Sequence, residues 1–134
     1  MIKLVKFNKD VHEDITQLHK KLVNDNRKPS LVFYDTISNK KVGYCVFHIT
    51  DKSVKIDWLY APNYGKSAYK KLEAYFKYNK VEKILLNCSI DKMEKKETVM
   101  KRINFYIGLD FRVYDIRYRT SGALGVMLLM HKKL

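Results

Sequence analysis

Apolar residues recur at every second position in several short runs of the chain, and at every third or fourth position in three longer ones. Period two suits a half-buried strand and period 3.6 an amphipathic helix. Ile2, Leu4, Val5 and Phe7 predict a first strand. Asp10, with Glu13 three residues on, has the capping-box pattern in front of Val11, Ile15, Leu18 and Leu22, which predicts a helix over about residues 10–25. Arg27, Lys28, Pro29 and Ser30 end it. Residues 31–37 and 42–49 are β-rich and flank the polar turn Ser38-Asn39-Lys40-Lys41, which predicts a hairpin. After a second turn at residues 50–53, Val54, Ile56, Trp58 and Tyr60 alternate in a strand that stops at Ala61 and Pro62.

The loop Asn63-Tyr64-Gly65-Lys66-Ser67 then opens a helix over residues 66–78, in which Ala68, Leu72, Tyr75 and Phe76 recur at helical spacing. Ile84, Leu85, Leu86 and Cys88 form the continuous apolar run of a buried strand, so residues 54–89 read as a β-loop-α-β crossover with parallel flanking strands. A charged connection leads to a helix over about 97–108 carrying Val99, Ile103 and Ile107. Two last strands, residues 111–119 and 124–130, are joined at Thr120, Ser121 and Gly122. The order β-α-β-β-β-α-β-α-β-β predicts an α/β (α+β) fold with a mixed, mostly antiparallel central sheet and helices on both faces. With no repeat, linker or low-complexity tract, residues 1–134 are expected to form a single domain.

Composition narrows the class. The chain is 46% hydrophobic and 13% aromatic, too apolar for a disordered segment. Its 27 Lys and Arg against 14 Asp and Glu give a net charge of +13. Such a balance points to nucleic acid, a phosphorylated cofactor or an anionic membrane surface. Of the 27 basic residues 22 are Lys, a bias that AT-rich coding also produces. The excess is uneven: residues 1–60 carry +4 and residues 61–134 carry +9. Cys45 and Cys88 stand apart in apolar settings, so neither a disulfide framework nor a metal site is indicated. The longest uncharged apolar stretch, residues 122–130, is too short to cross a bilayer, and residues 1–7 alternate charged and apolar positions instead of offering an unbroken apolar run. A soluble, cytoplasmic protein without membrane attachment, monomeric or homodimeric, is expected.

The loop before the second helix is the first place where residue types suggest chemistry. Small residues at a helix start let backbone N–H groups approach an anion, and the helix dipole favours a phosphate there. Gly65, Ser67 and Ala68 are small, and Lys66, Lys70 and Lys71 lie beside them. This is either a pyrophosphate cradle or an ordinary strand-to-helix turn with a solvated lysine face.

Taken with the element order, two stretches make the whole chain resemble the GNAT superfamily of N-acetyltransferases. Leu59-Tyr60-Ala61-Pro62-Asn63-Tyr64-Gly65-Lys66-Ser67-Ala68 looks like that family's strand end, proline and acetyl-CoA pyrophosphate loop. Phe105-Tyr106-Ile107-Gly108-Leu109-Asp110-Phe111 looks like its Tyr-x-x-x-Gly-Phe, with Asp110 in the place of the Gly. The closing run from Met127 resembles its final strand and basic tail. Where the family has Gln or Arg, Gly, and Gly or Ala in the loop, this chain has Tyr64, Ser67 and Tyr69.

The resemblance implies an enzyme that transfers an acetyl group from acetyl-CoA to a primary amine, by direct attack in a ternary complex and without a metal. It implies pantetheine contacts at Trp58, Leu59 and Tyr60. Phosphate contacts fall to Tyr64, Gly65, Lys66, Ser67, Ala68, Tyr69 and Lys70. Tyr106 takes the role of proton donor to the departing thiolate. An alkyl ammonium must lose a proton before it attacks. Asp57 is the candidate base, with His48 the weaker one. Cys88 reads as an inert buried thiol, since no base stands beside it. The substituted loop keeps a second reading open, a catalytically inactive GNAT-like binding module. The charge and the ten tyrosines keep a third, a nucleic-acid-binding protein.

Overall fold

The computed structural model describes residues 1–118 and 124–134. These residues form a mixed, mostly antiparallel α/β fold of seven strands and three helices. In chain order they are β1 (Ile2–Lys6), α1 (Glu13–Val23), β2 (Leu31–Asp35), β3 (Lys41–Thr50), β4 (Ser53–Tyr60), α2 (Gly65–Tyr78), β5 (Lys83–Asp91), α3 (Lys96–Gly108), β6 (Arg112–Tyr118) and β7 (Leu124–Lys133). The order is the predicted one. The turn expected at Thr120, Ser121 and Gly122, with Arg119 before it, lies outside the described residues. No described helix is long and apolar enough to cross a membrane.

The chain divides into two compact units, residues 1–49 with 56–80 and residues 50–55 with 81–134. In the first, β1 pairs antiparallel with β2, from Ile2 opposite Asp35 to Lys6 opposite Leu31. β2 pairs antiparallel with β3, with a register shift after Phe33. Successive side chains of a strand point to opposite faces. On β3, Tyr44 and Val46 therefore share one face, where they pack with Val32 and with Ile15 of α1. Phe47 takes the other face and meets Phe76 of α2 edge-on at 4.9 Å. α1 and α2 thus cover opposite faces of this unit's strands.

α1 starts later than the capping-box pattern predicts, and Asp10 does not cap it. Asn8 organises the entry: its carbonyl accepts from Val11 N–H (3.1 Å) and His12 N–H (2.8 Å). Its side-chain oxygen accepts from Asp10 N–H, and its own N–H donates to His12 Nδ1. The resulting turn places Val11 in solvent, and the buried face of α1 is Ile15 and His19. At the other end Asn24 adopts the left-handed conformation (φ 54°), and its N–H closes on the Lys20 carbonyl.

Gly43 is where backbone meets backbone. A β-carbon on it would lie 2.0 Å from the Tyr60 carbonyl oxygen and 2.8 Å from Ala61 Cα, so only glycine permits β3 to pass the end of β4 this closely.

In the second unit β7 lies between β5 and β6. β5 pairs antiparallel with β7 from Lys83 opposite Lys133 to Asp91 opposite Leu124. β6 pairs with β7 from Arg112 opposite His131 to Tyr118 opposite Val126. The last strand therefore runs past Met130, and Lys132 and Lys133, expected as a basic tail, pair with Ile84 and Lys83. A sheet ladder is held by backbone groups, so charged side chains at its end do not stop it. α3 is tied to β5 by Arg102, which donates to the Ser89 carbonyl at 2.6 Å and pairs with Glu94.

Candidate active site

The end of β4 and the start of α2 both belong to the first unit. Tyr64 N–H donates to the Ala61 carbonyl (2.9 Å), which turns the chain into α2. The first helical bond runs from Ala68 N–H to the Tyr64 carbonyl (2.8 Å). Among the described residues, no side chain caps this end, no acidic residue stands in the first turn, and the amides of Gly65, Lys66 and Ser67 have no acceptor. Three unpaired donors at the positive end of a helix, with Lys66, Lys70 and Lys71 exposed around them, suit an anion.

The sequence-predicted loop residues divide by direction. Ala68 and Tyr69 are buried, and the Tyr69 hydroxyl donates to Glu73 Oε1 one turn on (2.9 Å). The large Tyr69 side chain is thus turned into the protein and leaves the helix start open. Tyr64 is a strut: its hydroxyl donates to Asp35 Oδ2 at the end of β2 (3.1 Å), and that carboxylate raises the phenol's pKa. Gly65 is half-buried, and Lys66, Ser67 and Lys70 are exposed. A cleft of about 330 Å³ lies beside the loop, lined by Ile15, Leu18, Gly43, Tyr60, Pro62 and Tyr64 among others.

On β4, Tyr60 stacks against Tyr44 at 5.7 Å, Trp58 packs beside His19 at 6.4 Å, and Leu59 is half-buried. His19 is buried and its Nδ1 shares a hydrogen bond with the Tyr44 hydroxyl (2.9 Å). Burial lowers the His19 pKa and pushes Tyr44 up to about 12, so both are neutral near pH 7. Asp57, the neighbour of Trp58, also meets groups from the α1 side. Its Oδ2 pairs with Arg27 Nη1 at 3.1 Å and with His48 Nδ1 at 3.0 Å. Arg27 also pairs with Asp25 (2.7 Å), so one guanidinium bridges two carboxylates.

Asp57 and His48, the two candidate bases, are therefore one hydrogen-bonded pair. Position 48 lies across the 50–53 turn from the middle of β4, so a hairpin reading contained this neighbourhood. Arg27 was legible only as a helix breaker, and nothing local pointed to its carboxylate partners.

Tyr106 lies in the second unit, on α3. Its ring packs edge-on against Phe105 (5.2 Å) and Phe111 (5.7 Å). Burial, reinforced by the Cys88 sulfur, raises its pKa to about 12, with the Arg102 charge opposing. The phenol stays protonated throughout the neutral range, as a proton donor must. Burial likewise raises both thiols, Cys45 to about 12 and Cys88 in the same direction. Only a thiolate reacts with an alkylating agent. Iodoacetamide at neutral pH is expected to leave both cysteines unmodified in native protein and to label both in denaturant, as counted by intact mass. Rapid native labelling of Cys88 would contradict its inert environment.

With this geometry in view, the chain can be set beside known proteins. It superposes over its full length on an IAA acetyltransferase from Bacillus cereus, also over its full length, with a TM-score of 0.71 and 12% identity. An aminoglycoside 6'-N-acetyltransferase from Enterococcus faecium matches 98% of the chain with 96% of its own, at a TM-score of 0.72 and 11% identity. This chain has the GNAT acetyltransferase fold. PaiA N-acetyltransferase from Thermoplasma acidophilum, solved with coenzyme A, matches all of the chain with 99% of its own, at a TM-score of 0.64 and 15% identity. In sequence, an uncharacterized N-acetyltransferase of Acanthamoeba polyphaga mimivirus is 33% identical over 81 residues, 59% of this GNAT-fold chain. The match spans 19% of that much longer relative. No protein-family model matches the chain.

Proposed function

We propose that this GNAT-fold chain transfers the acetyl group of acetyl-CoA to a primary amine. The observation that carries the reading is the start of α2. Its three acceptor-less amides and neighbouring lysines offer a seat for a pyrophosphate, and Tyr69 is turned away from it. Acetyl-CoA is a substrate here, and its phosphates would meet Tyr64 through Lys70, chiefly by the backbone at Gly65, Lys66 and Ser67. Ala68 and Tyr69 contribute packing that holds the helix start in place. The backbone of Trp58, Leu59 and Tyr60 would pair with the pantetheine, and an N–H of that strand would polarise the thioester carbonyl as charge develops on its oxygen. The neutral amine attacks the carbonyl carbon, the C–N bond forms and the C–S bond breaks. Tyr106, protonated at neutral pH, supplies the proton for the departing thiolate.

Calorimetric titration with acetyl-CoA tests the reading, and no binding at millimolar concentration would return the chain to the class of inactive binding modules. A sharper test is Ser67→Glu. A carboxylate in the first turn favours the helix dipole and stabilises the fold by about 0.3–1 kcal/mol. The same carboxylate occupies the amides and repels the pyrophosphate, so acetyl-CoA affinity is expected to fall about tenfold or more, ~1.4 kcal/mol. Melting temperature and affinity should therefore move in opposite directions. Wild-type affinity in this variant would place the phosphates elsewhere.

A further inference from the structure

An amine acceptor arrives as an ammonium ion, and the structure offers a specific group to deprotonate it. We propose that His48 Nε2 is the proton acceptor, with Asp57 and Arg27 as the residues that position it. The proposal rests on the acetyl-transfer reading above and names the base within that same site.

Asp57 is the centre of the arrangement. Its Oδ2 already accepts from two donors, Arg27 Nη1 at 3.1 Å and His48 Nδ1 at 3.0 Å, and its side chain is only 13% exposed. A guanidinium–carboxylate contact is a charge-assisted bond that fixes the carboxylate in place. With both donors on one oxygen, Asp57 is well placed to orient a neighbouring base.

His48 has the complementary properties. A carboxylate only accepts hydrogen bonds, so in the neutral ring the bond at Nδ1 puts the hydrogen on that nitrogen and leaves the Nε2 lone pair bare. The side chain is 57% exposed, and among the described residues Nε2 has no partner. Asp57 immediately precedes Trp58, the first residue assigned to the pantetheine. The carboxylate that positions the base and the first pantetheine contact would then be adjacent positions of β4, with His48 reaching Asp57 from β3. Imidazole is the side chain that gains and loses a proton between about pH 5 and 8. Among the described residues, the charged group paired with His48 is Asp57 from β4, which also holds Arg27 from the α1–β2 connection, itself paired with Asp25.

The step balances. R–NH3+ passes one proton to His48 Nε2, giving imidazolium and R–NH2. The amine attacks the thioester, C–N forms and C–S breaks. The nitrogen sheds its second proton as the amide forms, and the departing sulfur gains one to become the CoA thiol. The imidazolium then releases its proton to water.

Two probe nucleophiles separate a base from a structural residue. Benzylamine is almost wholly an ammonium at neutral pH and needs a base, whereas hydroxylamine is largely unprotonated and does not. His48→Gln is expected to lower kcat with benzylamine about 100-fold while leaving hydroxylamine turnover and acetyl-CoA affinity at wild-type values. Imidazole added to His48→Ala should restore benzylamine turnover. Equal losses with both nucleophiles, or none with either, would overturn the proposal. Asp57→Asn should lower benzylamine turnover less than His48→Gln does.

A measurement independent of turnover reads the ring directly. Long-range 15N–1H NMR should find the Nδ1–H tautomer of His48 in wild type and a mixture in Asp57→Asn. A wild-type Nε2–H tautomer removes the lone pair from the proposed position and overturns the assignment whatever the rates. If wild-type protein fails to bind acetyl-CoA, that failure belongs to the acetyl-transfer reading, while the tautomer still decides the His48–Asp57 arrangement.

Discussion

Tyr106→Phe is expected to lower acetyl-transfer turnover about 100- to 1,000-fold, within the range typical for loss of a general acid. The change deletes one hydroxyl and keeps the ring that packs against Phe105 and Phe111. The backbone of residue 106, which accepts from Leu109 and Phe111 N–H groups, is untouched. Folding and acetyl-CoA affinity should therefore stay close to wild type, so the loss falls on kcat and not on KM. The sign of the pH effect follows from the same environment. Burial holds the phenol's pKa at about 12, so its protonated, donating form persists across the neutral range and is lost only well above it. An acidic limb in the wild-type pH profile should accordingly survive in Tyr106→Phe, because it belongs to another group. Unchanged turnover would remove Tyr106 from the mechanism and leave it as a ring packed between α3 and Phe111.

Gly43→Val is expected to have the largest effect on stability. The new β-carbon would sit 2.0 Å from the Tyr60 carbonyl oxygen and 2.8 Å from Ala61 Cα, both main-chain atoms that no rotamer change can move aside. Overpacking a core usually costs about 1–3 kcal/mol, and a clash with backbone belongs at or beyond the top of that range. Gly43→Ala meets the same first atom and should be nearly as costly, with the extra methyl groups of valine adding to it. The displaced segment, Tyr60 and Ala61, leads directly into the α2 start. Any folded fraction is therefore expected to lose acetyl-CoA affinity too. Thermal denaturation checks the first effect and titration of the folded fraction the second. An unchanged melting temperature would mean that β3 and the end of β4 do not approach this closely in solution.

The two variants differ in how visible they were beforehand. Tyr106 stood out through a motif of matching residue types, and its environment adds the reason it stays protonated. Gly43 carried a weaker sign: a glycine inside a strand marks close backbone approach, although the sequence does not say which backbone approaches. The same contrast runs through the rest of the site. Ala68, Leu72 and Phe76 were placed on one face of α2 by helical period, and they are all buried. Tyr69 lies among the phosphate-loop residues in sequence, and only its buried position and its bond to Glu73 show that its side chain faces the other way. Asp10 had every local feature of a helix cap and lost that role to the turn built on Asn8 and His12.

The largest gain concerns protonation. In the sequence Asp57 and His48 are separate candidates, nine positions apart and on different strands. Across the hairpin they share one hydrogen bond, and Arg27, from a third segment, pairs with the same Asp57 oxygen.

What the sequence by itself determined is the set of elements and their order, since periods of two and 3.6 are local properties that survive any tertiary arrangement. It also marked the small-residue, lysine-rich start of α2. Only the tertiary structure decided which amides there lack acceptors, which tyrosine turns inward, and which carboxylate is held by a guanidinium. Those are properties of pairs of groups brought together from distant parts of the chain. Period tells a residue which face it occupies, and the packing of other segments tells it what it meets there.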